Sequence, residues 1–133
     1  MMVAVSAAGA DLDAVVDPRF GRCPYFVIVD TDTMQFEAVP NTSQNAASGA
    51  GIQAAQIIVS KGARAVLTGN IGPNAYQALS AAGIHTITGA TGTIKEAVTK
   101  YKNGELKETD SPTVGGHFGM GKGRGMGRGR RWS

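Results

Sequence analysis

The sequence predicts an α/β fold, a mixed five-stranded sheet with helices on its faces, in the order β-β-β-α-β-α-β-α. Three observations predict it. Residues Tyr25 to Val39 hold two β-prone runs around a short polar turn. Two apolar runs, Ala65 to Leu67 and Ile84 to Ile87, each lead through a Thr-Gly-x-x-Gly turn into an amphipathic helix. A further helical pattern, from Ile52 to Gly62, separates the hairpin from the first of those runs. Strands joined by helical crossovers run parallel with right-handed connections, and the hairpin adds antiparallel strands to the same sheet.

Each element has a local cause. Val3 to Ser6 reads as the first strand, and Asp17 to Pro24 as a loop rich in turn formers. Tyr25-Phe26-Val27-Ile28-Val29-Asp30 is strongly β-prone, and Met34 to Val39 alternates apolar with polar residues across the turn Thr31-Asp32-Thr33. Pro40 to Ser48 is polar and small, and reads as a mobile loop. In the first helix Ile52, Ala55 and Ile58 or Val59 mark the buried face, with Gly62 as the stop. In the second, Pro73 fits the first helical position, Ala75, Leu79 and Ala82 give helical spacing, and Gly83 ends it. In the third, Thr93-x-x-Glu96 is a capping box, Ile94, Ala97, Val98 and Tyr101 form the buried face, and Gly104 closes it. Arg64–Thr68 and Ile84–Thr88 are the strands between these helices.

At 133 residues the chain is long enough for one domain with a real core. The division expected is a domain over residues 1–112 and a disordered Gly/Met/Arg-rich basic tail over residues 113–133, whose composition cannot offset chain entropy by burial. The net charge of +3 conceals an asymmetry. Residues 1–114 hold eight basic and ten acidic side chains, whereas Lys122, Arg124, Arg128, Arg130 and Arg131 stand in the tail with no acid. A hydrophobic content of 42% and a mean hydropathy of -0.08 suit a globular protein in water. No apolar stretch approaches the roughly 20 residues of a membrane span, so no membrane partner is expected. Met1-Met2-Val3-Ala4-Val5 lacks the basic start of a signal peptide, and Cys23, the single cysteine, has no disulfide partner; a cytoplasmic location is the expectation.

The glycine turns indicate where chemistry sits. Thr68-Gly69-Asn70-Ile71-Gly72 and Thr88-Gly89-Ala90-Thr91-Gly92 each leave backbone N–H groups uncovered at a helix start, where the helix dipole attracts anions. Gly49-x-Gly51 opens the first helix in the same manner. Glycine at such turns also serves positive φ and close packing alone. Neither a Walker motif nor the G-x-G-x-x-G order is present, which argues against a nucleotide. The loop Asp17-Pro18-Arg19-Phe20-Gly21-Arg22-Cys23 offers two guanidinium forks for a multivalent anion. Cys23 is a candidate soft metal ligand if nearby positive charge lowers its pKa, and a small core residue otherwise. His85, inside a β-run, reads as structural; His117 lies in the tail beside Met120 and Met126, a weak soft-metal set. Arg-Gly alternation in the tail suits charge-only contact with nucleic acid or an acidic partner, but the domain is slightly acidic and Phe118 and Trp132 stand far apart, which disfavours nucleic acid. No carboxylate is paired with a histidine or serine motif, so no enzyme is expected.

Together Arg19-Phe20-Gly21-Arg22-Cys23-Pro24-Tyr25-Phe26, Ser48-Gly49-Ala50-Gly51, Gly69-Asn70-Ile71-Gly72-Pro73-Asn74-Ala75, and Ala82-Gly83-Ile84 with Gly89-Ala90-Thr91-Gly92-Thr93 resemble the dinitrogenase iron–molybdenum cofactor biosynthesis family, over roughly residues 2–110. The resemblance implies a ribonuclease-H-like three-layer fold without ribonuclease chemistry. It also implies non-catalytic carriage or storage of an anionic Fe-Mo or Mo-Cu sulfide cluster, or a thiomolybdate-like precursor, bound non-covalently. A cofactor-biosynthesis protein is the implied protein partner. The residues it marks for the guest are Arg19, Gly21, Arg22, Cys23, Ser48, Gly49, Gly51, Gly69, Asn70, Gly72, Gly89 and Gly92. Relatives often carry histidine where this chain has Ser48, which leaves Cys23 as the domain thiol available for direct ligation.

Overall fold

Alternating burial along the strands builds a sheet with two apolar faces. The computed structural model describes residues 1–113, and the tail expected over residues 113–133 lies, but for Thr113, outside the described residues. The strands are β1 (Met2–Ala7), β2 (Tyr25–Asp30), β3 (Phe36–Pro40), β4 (Ala65–Leu67) and β5 (His85–Ile87); the helices are α1 (Ala50–Ser60), α2 (Pro73–Ala81) and α3 (Ile94–Lys102). The sheet order is β3-β2-β1-β4-β5, antiparallel across β1–β2 and β2–β3 and parallel across β1–β4 and β4–β5. Side chains two apart share a face. Ala4, Phe26, Ile28 and Val66 therefore meet Ala54, Ala55 and Ile58 of α1 and Ala75 and Leu79 of α2. Val3, Val5, Val27, Val29, Ala65 and Leu67 meet Ile94, Ala97 and Val98 of α3 on the other face. The expected element order and the helix–sheet–helix layering are both present.

This topology gathers the loops that matter at one edge. Ala7, Tyr25 and Pro40 stand in register at one end of β1, β2 and β3, and β4 ends at Leu67 beside Val5, two residues before β1 ends. The segments after β1, β3, β4 and β5 all leave from that edge, the usual ligand edge of an open α/β sheet.

Three local expectations need correction. In α1 the buried residues are Ala50, Ala54, Ala55 and Ile58, while Ile52 and Val59 stand 40% and 47% exposed. The helix packs closely on α2 through small residues, so its inner ridge runs along alanines and not the largest side chains. Ala82 is the exposed C-cap of α2 and not a core residue. Met34 adopts φ 63 and its N–H bonds Asp30 O at 2.7 Å, so the turn consumes the residues up to Gln35 and β3 starts only at Phe36.

The segment after β3 is not a free loop. Asn41 is 4% exposed, and its Nδ2 donates to Gly21 O at 3.1 Å and Cys23 O at 2.8 Å. Its Oδ1 accepts from Ser43 N at 3.1 Å and Ser43 Oγ at 2.6 Å. One buried amide thus ties the stretch after Pro40 to the arginine loop. Asn41→Ala strands the buried Cys23 carbonyl and leaves the half-buried Gly21 carbonyl only the 3.4 Å contact from Ser43 Oγ, and we expect a loss of about 2–3 kcal/mol in urea unfolding. Ser43→Ala, which leaves both carbonyls partnered, is expected to cost about 1 kcal/mol.

Candidate functional site

A backbone stitch forms one wall of the site. Asn70 N donates to Pro18 O at 2.8 Å, and Arg19 pairs with Asn70 as an isolated parallel bridge. Gly69 permits the approach, because a Cβ there would fall 2.6 Å from Pro18 Cα. Gly21 is equally constrained: its Cβ would lie 3.1 Å from Gly51 N. The loop after β1, the start of α1 and the turn before α2 therefore press together backbone to backbone. Between them opens a cavity of about 580 Å³ lined by residues 18–22, by Ala50 and Gly51, and by Asn70 with residues 72–75.

Two helix N-termini face this cavity without caps. The N-cap residues are Gly49, at φ 72, and Gly72, and neither carries a side chain to accept from the first turn. The first backbone bonds are Gln53 N to Gly49 O and Tyr76 N to Gly72 O, both 3.0 Å. The N–H groups of Ala50, Gly51, Asn74 and Ala75, all on the cavity wall, have no acceptor among the described residues. Partial positive charge from both helix dipoles adds to them.

The two arginines differ in charge balance. Arg19 Nε and Nη2 form a fork on Asp17 at 3.1 and 2.9 Å, and Asp17 also accepts from Arg19 N at 2.9 Å. That hydrogen bonding holds the Asp17 carboxyl below the usual carboxylate range despite burial. Arg22 Nη1 instead donates to two backbone carbonyls, Gln44 O at 3.0 Å and Ala46 O at 2.6 Å. No carboxylate neutralises Arg22 among the described residues. The segment held by Asn41 thus positions a guanidinium whose charge remains available to the cavity that Arg22 lines.

The structure brings Arg19, Gly21, Arg22, Gly51, Asn70 and Gly72 together on the cavity. Gly69 stands behind them against Pro18, and Gly49 caps α1 at its margin. Ser48 is exposed just before that cap and does not line the cavity. Cys23 does not line it either. Its thiol is fully buried, donates to Phe20 O at 3.3 Å, and is pushed up to about 12 by desolvation.

The second glycine turn adjoins the first but is closed. Gly89 N donates to Gly69 O and Ala90 N to Thr68 O, each at 3.0 Å. The first turn of α3 then satisfies itself: Glu96 N donates to Thr93 Oγ1 and Thr93 N to Glu96 Oε1, while Ile94 N and Lys95 N reach Ala14 O and Leu12 O. Gly89 and Gly92 accordingly lie outside the cavity lining, and α3 packs on the opposite face of the sheet. His85 sits at the far end of β5, with Nδ1 3.0 Å from Glu108 Oε2. His117 lies outside the described residues. Ala50, Asn74 and Ala75 join the site unpredicted; Pro73 was the available signal, because a proline at the first helical position places the next two N–H groups at an open helix start.

Comparison with known proteins places this geometry. The family model described as dinitrogenase iron-molybdenum cofactor matches residues 1–104. The apo structure of the orange protein from Desulfovibrio gigas is 44% identical, covers 85% of this chain and 96% of its own, and superposes with a TM-score of 0.83. An NMR structure of a Thermotoga protein is 37% identical over 85% of this chain and 97% of its own, with a TM-score of 0.74. An uncharacterized protein of Methanocaldococcus jannaschii is 32% identical over 96 residues, 70% of this chain and 81% of that protein.

The two buried groups give distinct expected outcomes. Cys23 in the folded protein is expected to resist iodoacetamide at pH 8 and to alkylate fully once the chain is unfolded in urea; rapid native labelling would contradict its burial. Asp17 has a depressed folded pKa, so its contribution to stability is present above about pH 4 and is lost as pH falls through the folded value. Asp17→Asn should therefore lower stability at pH 7 and flatten the acid limb of a stability–pH curve.

Proposed function

From the premise that the chain belongs to the dinitrogenase iron-molybdenum cofactor family, we propose that it carries or stores an anionic metal–sulfur cluster or its thiomolybdate-like precursor and catalyses no reaction. The convergence of two uncapped helix N-termini with Arg22 on one cavity carries this reading.

The donor set fits a guest that brings its own ligands. Among the described residues no group of three or more His, Cys, Asp or Glu side chains is placed to hold a metal ion. The cavity offers N–H groups and a guanidinium, which serve the outer sulfides of a cluster as hydrogen-bond donors and as charge. Sulfide is large and diffuse, and a wall of Gly51, Gly72 and Ala75 leaves room for it where longer side chains would fill the space. Cys23, buried and protonated at neutral pH, takes no part in this proposal. Arg19 sits at the rim, its fork held by Asp17, and positions the loop more than it adds charge.

Carriage also suits a cavity built of donors. A carrier must bind tightly enough to protect its cargo and weakly enough to release it, which many modest N–H contacts allow and covalent thiolate ligation hinders.

Purified protein mixed with tetrathiomolybdate and copper(I) is expected to retain charge-transfer absorption through gel filtration. Arg22→Gln should weaken retention about tenfold or more, the scale of one lost charged hydrogen bond, and His85→Ala should leave it unchanged. A colourless protein without retained metal would overturn the proposal, as would equal effects of the two substitutions.

A further inference from the structure

We propose that Thr109 and Thr113 form a latch that fixes the open start of α2, and that their hold on it sets the affinity of the cavity for an anion. The proposal rests on the anion-carrier reading of the cavity and adds two positioning residues to it, on a segment that reading does not use.

The segment after α3 returns along β5 and reaches both glycine turns. Glu105 N bonds Lys100 O at 2.9 Å as the helix ends, and Leu106 packs against the core on the α3 face. Glu108 Oε2 then stands 3.0 Å from His85 Nδ1, at the start of β5. Thr109 N donates to Thr86 O at 2.7 Å, while Thr109 Oγ1 accepts from Thr88 N at 3.0 Å and pairs with the Thr88 hydroxyl at 2.6 Å. Further along, Thr113 N donates to Ile71 O at 2.9 Å, and Thr113 Oγ1 accepts from Ile71 N at 2.8 Å. One threonine hydroxyl therefore sits on each Thr-Gly-x-x-Gly turn.

These contacts hold α2 where it lacks a hold of its own. Gly72 carries no capping side chain, and the N–H groups of Asn74 and Ala75 have no acceptor among the described residues. The latch supplies the constraint from outside the helix. Ile71 is 1% exposed, and Thr113 partners both its N–H and its carbonyl, groups that would be costly to leave buried and unpaired. Tyr76, whose N–H closes the first bond of α2 on Gly72 O, donates its hydroxyl to Thr109 O at 3.3 Å. The latch thus grips the residue before Gly72 and the residue that completes the first turn. Residues 72–75, which line the cavity, lie between the two grips.

Preorganisation links the latch to affinity. Donors already held in one geometry bind a guest without the entropy cost of ordering them. A first turn that frays would present the Asn74 and Ala75 N–H groups in many directions. The start of α1 is held by close packing, since Gly21 lies against Gly51, whereas the turn before α2 is held at Asn70 by Pro18 and at Ile71 by Thr113. Linkage makes the effect mutual: an anion that prefers the latched start also stabilises the latch by the same factor.

The test uses the full chain, unaltered and with Thr113→Val, Thr109→Val, Thr113→Ser, Arg22→Gln or Val98→Ala, each titrated with tetrathiomolybdate and unfolded in urea. Thr113→Val and Thr109→Val are each expected to bind about fivefold more weakly, the scale of one lost hydrogen bond. Thr113→Ser, which keeps the hydroxyl, is expected to match the unaltered protein. Val98→Ala truncates the core on the opposite face of the sheet, and is expected to lower the urea midpoint with affinity unchanged. Hydrogen exchange tests the same idea in the unaltered protein, whether or not the variants fold: saturating tetrathiomolybdate should slow the Ile71 and Thr88 amides about fivefold. Full affinity of both valine variants, with Arg22→Gln still impaired, would overturn the latch and leave the cavity reading standing. Unchanged exchange at both amides in protein that binds the anion would do the same. Equal losses of affinity in Thr113→Val and Val98→Ala would also overturn the latch, since affinity would then follow stability alone. Absence of binding by the unaltered protein would overturn both readings.

Discussion

The site depends on one contact, the backbone stitch between Pro18 and the Gly69–Asn70 turn. Asn70 N reaches Pro18 O at 2.8 Å only because Gly69 has no Cβ, which would otherwise stand 2.6 Å from Pro18 Cα. Any side chain at Gly69 would push the loop after β1 away from α2. Arg22 would move with that loop, and Gly21 would lose its contact with Gly51. The cavity is therefore a product of backbone proximity among three segments. Its donors are main-chain groups whose positions are set by the sheet edge, and side chains mainly keep those segments in place: Asn41 from one side, and the Ser6 hydroxyl, 2.6 Å from Asp17 O and 2.7 Å from Thr68 Oγ1, from below.

The three helix starts show how local sequence divides capped from open ends. α3 begins with Thr93 and Glu96, which satisfy each other's backbone groups, and the loop carbonyls of Leu12 and Ala14 take the remaining two N–H groups. α1 and α2 begin with glycines that cap nothing, and a glycine N-cap in place of serine or aspartate forgoes only a few tenths of a kcal/mol each. The chain leaves donors open at the two helices on one face of the sheet and closes them at the helix on the other. That asymmetry is itself a reason to read the α1–α2 face as the binding face.

Much of the fold was legible in the residues, and the reason is that its signals are local. The β-prone run from Tyr25 to Asp30, Pro73 at the start of α2 and the Thr93–Glu96 box each act within a few residues, and each element stands where those signals place it. The orientation of α1 was legible in part: Ala55 and Ile58 are buried as their spacing indicates, but Ile52 and Val59 outrank the alanines in size while helix–helix closeness selects Ala50 and Ala54 in their place. Nor was the hold on the segment after Pro40, since nothing near Asn41 reveals that its amide will meet carbonyls from Gly21 and Cys23. The twin Thr-Gly-x-x-Gly turns were equivalent as sequence. Only tertiary structure separates them, because the first runs into Pro73 and an open helix start, and the second into a capping box.

The arginine pair carries the same lesson into electrostatics. Arg19 and Arg22 sit three residues apart and look interchangeable, yet one faces a buried carboxylate and the other two carbonyls. Asp17 is 6% exposed, so an unpaired carboxylate there would be costly, and the Arg19 fork satisfies it. That pairing also spares the cavity a bare negative charge at its edge. Carbonyls, by contrast, orient Arg22 without cancelling its charge. A loop with both arginines ion-paired would leave the cavity little positive charge beyond the helix dipoles, and one with neither paired would leave a bare Asp17 carboxylate at its edge. The division of labour between the two guanidiniums thus leaves one positive charge facing a cavity in a chain whose described residues are slightly acidic as a whole.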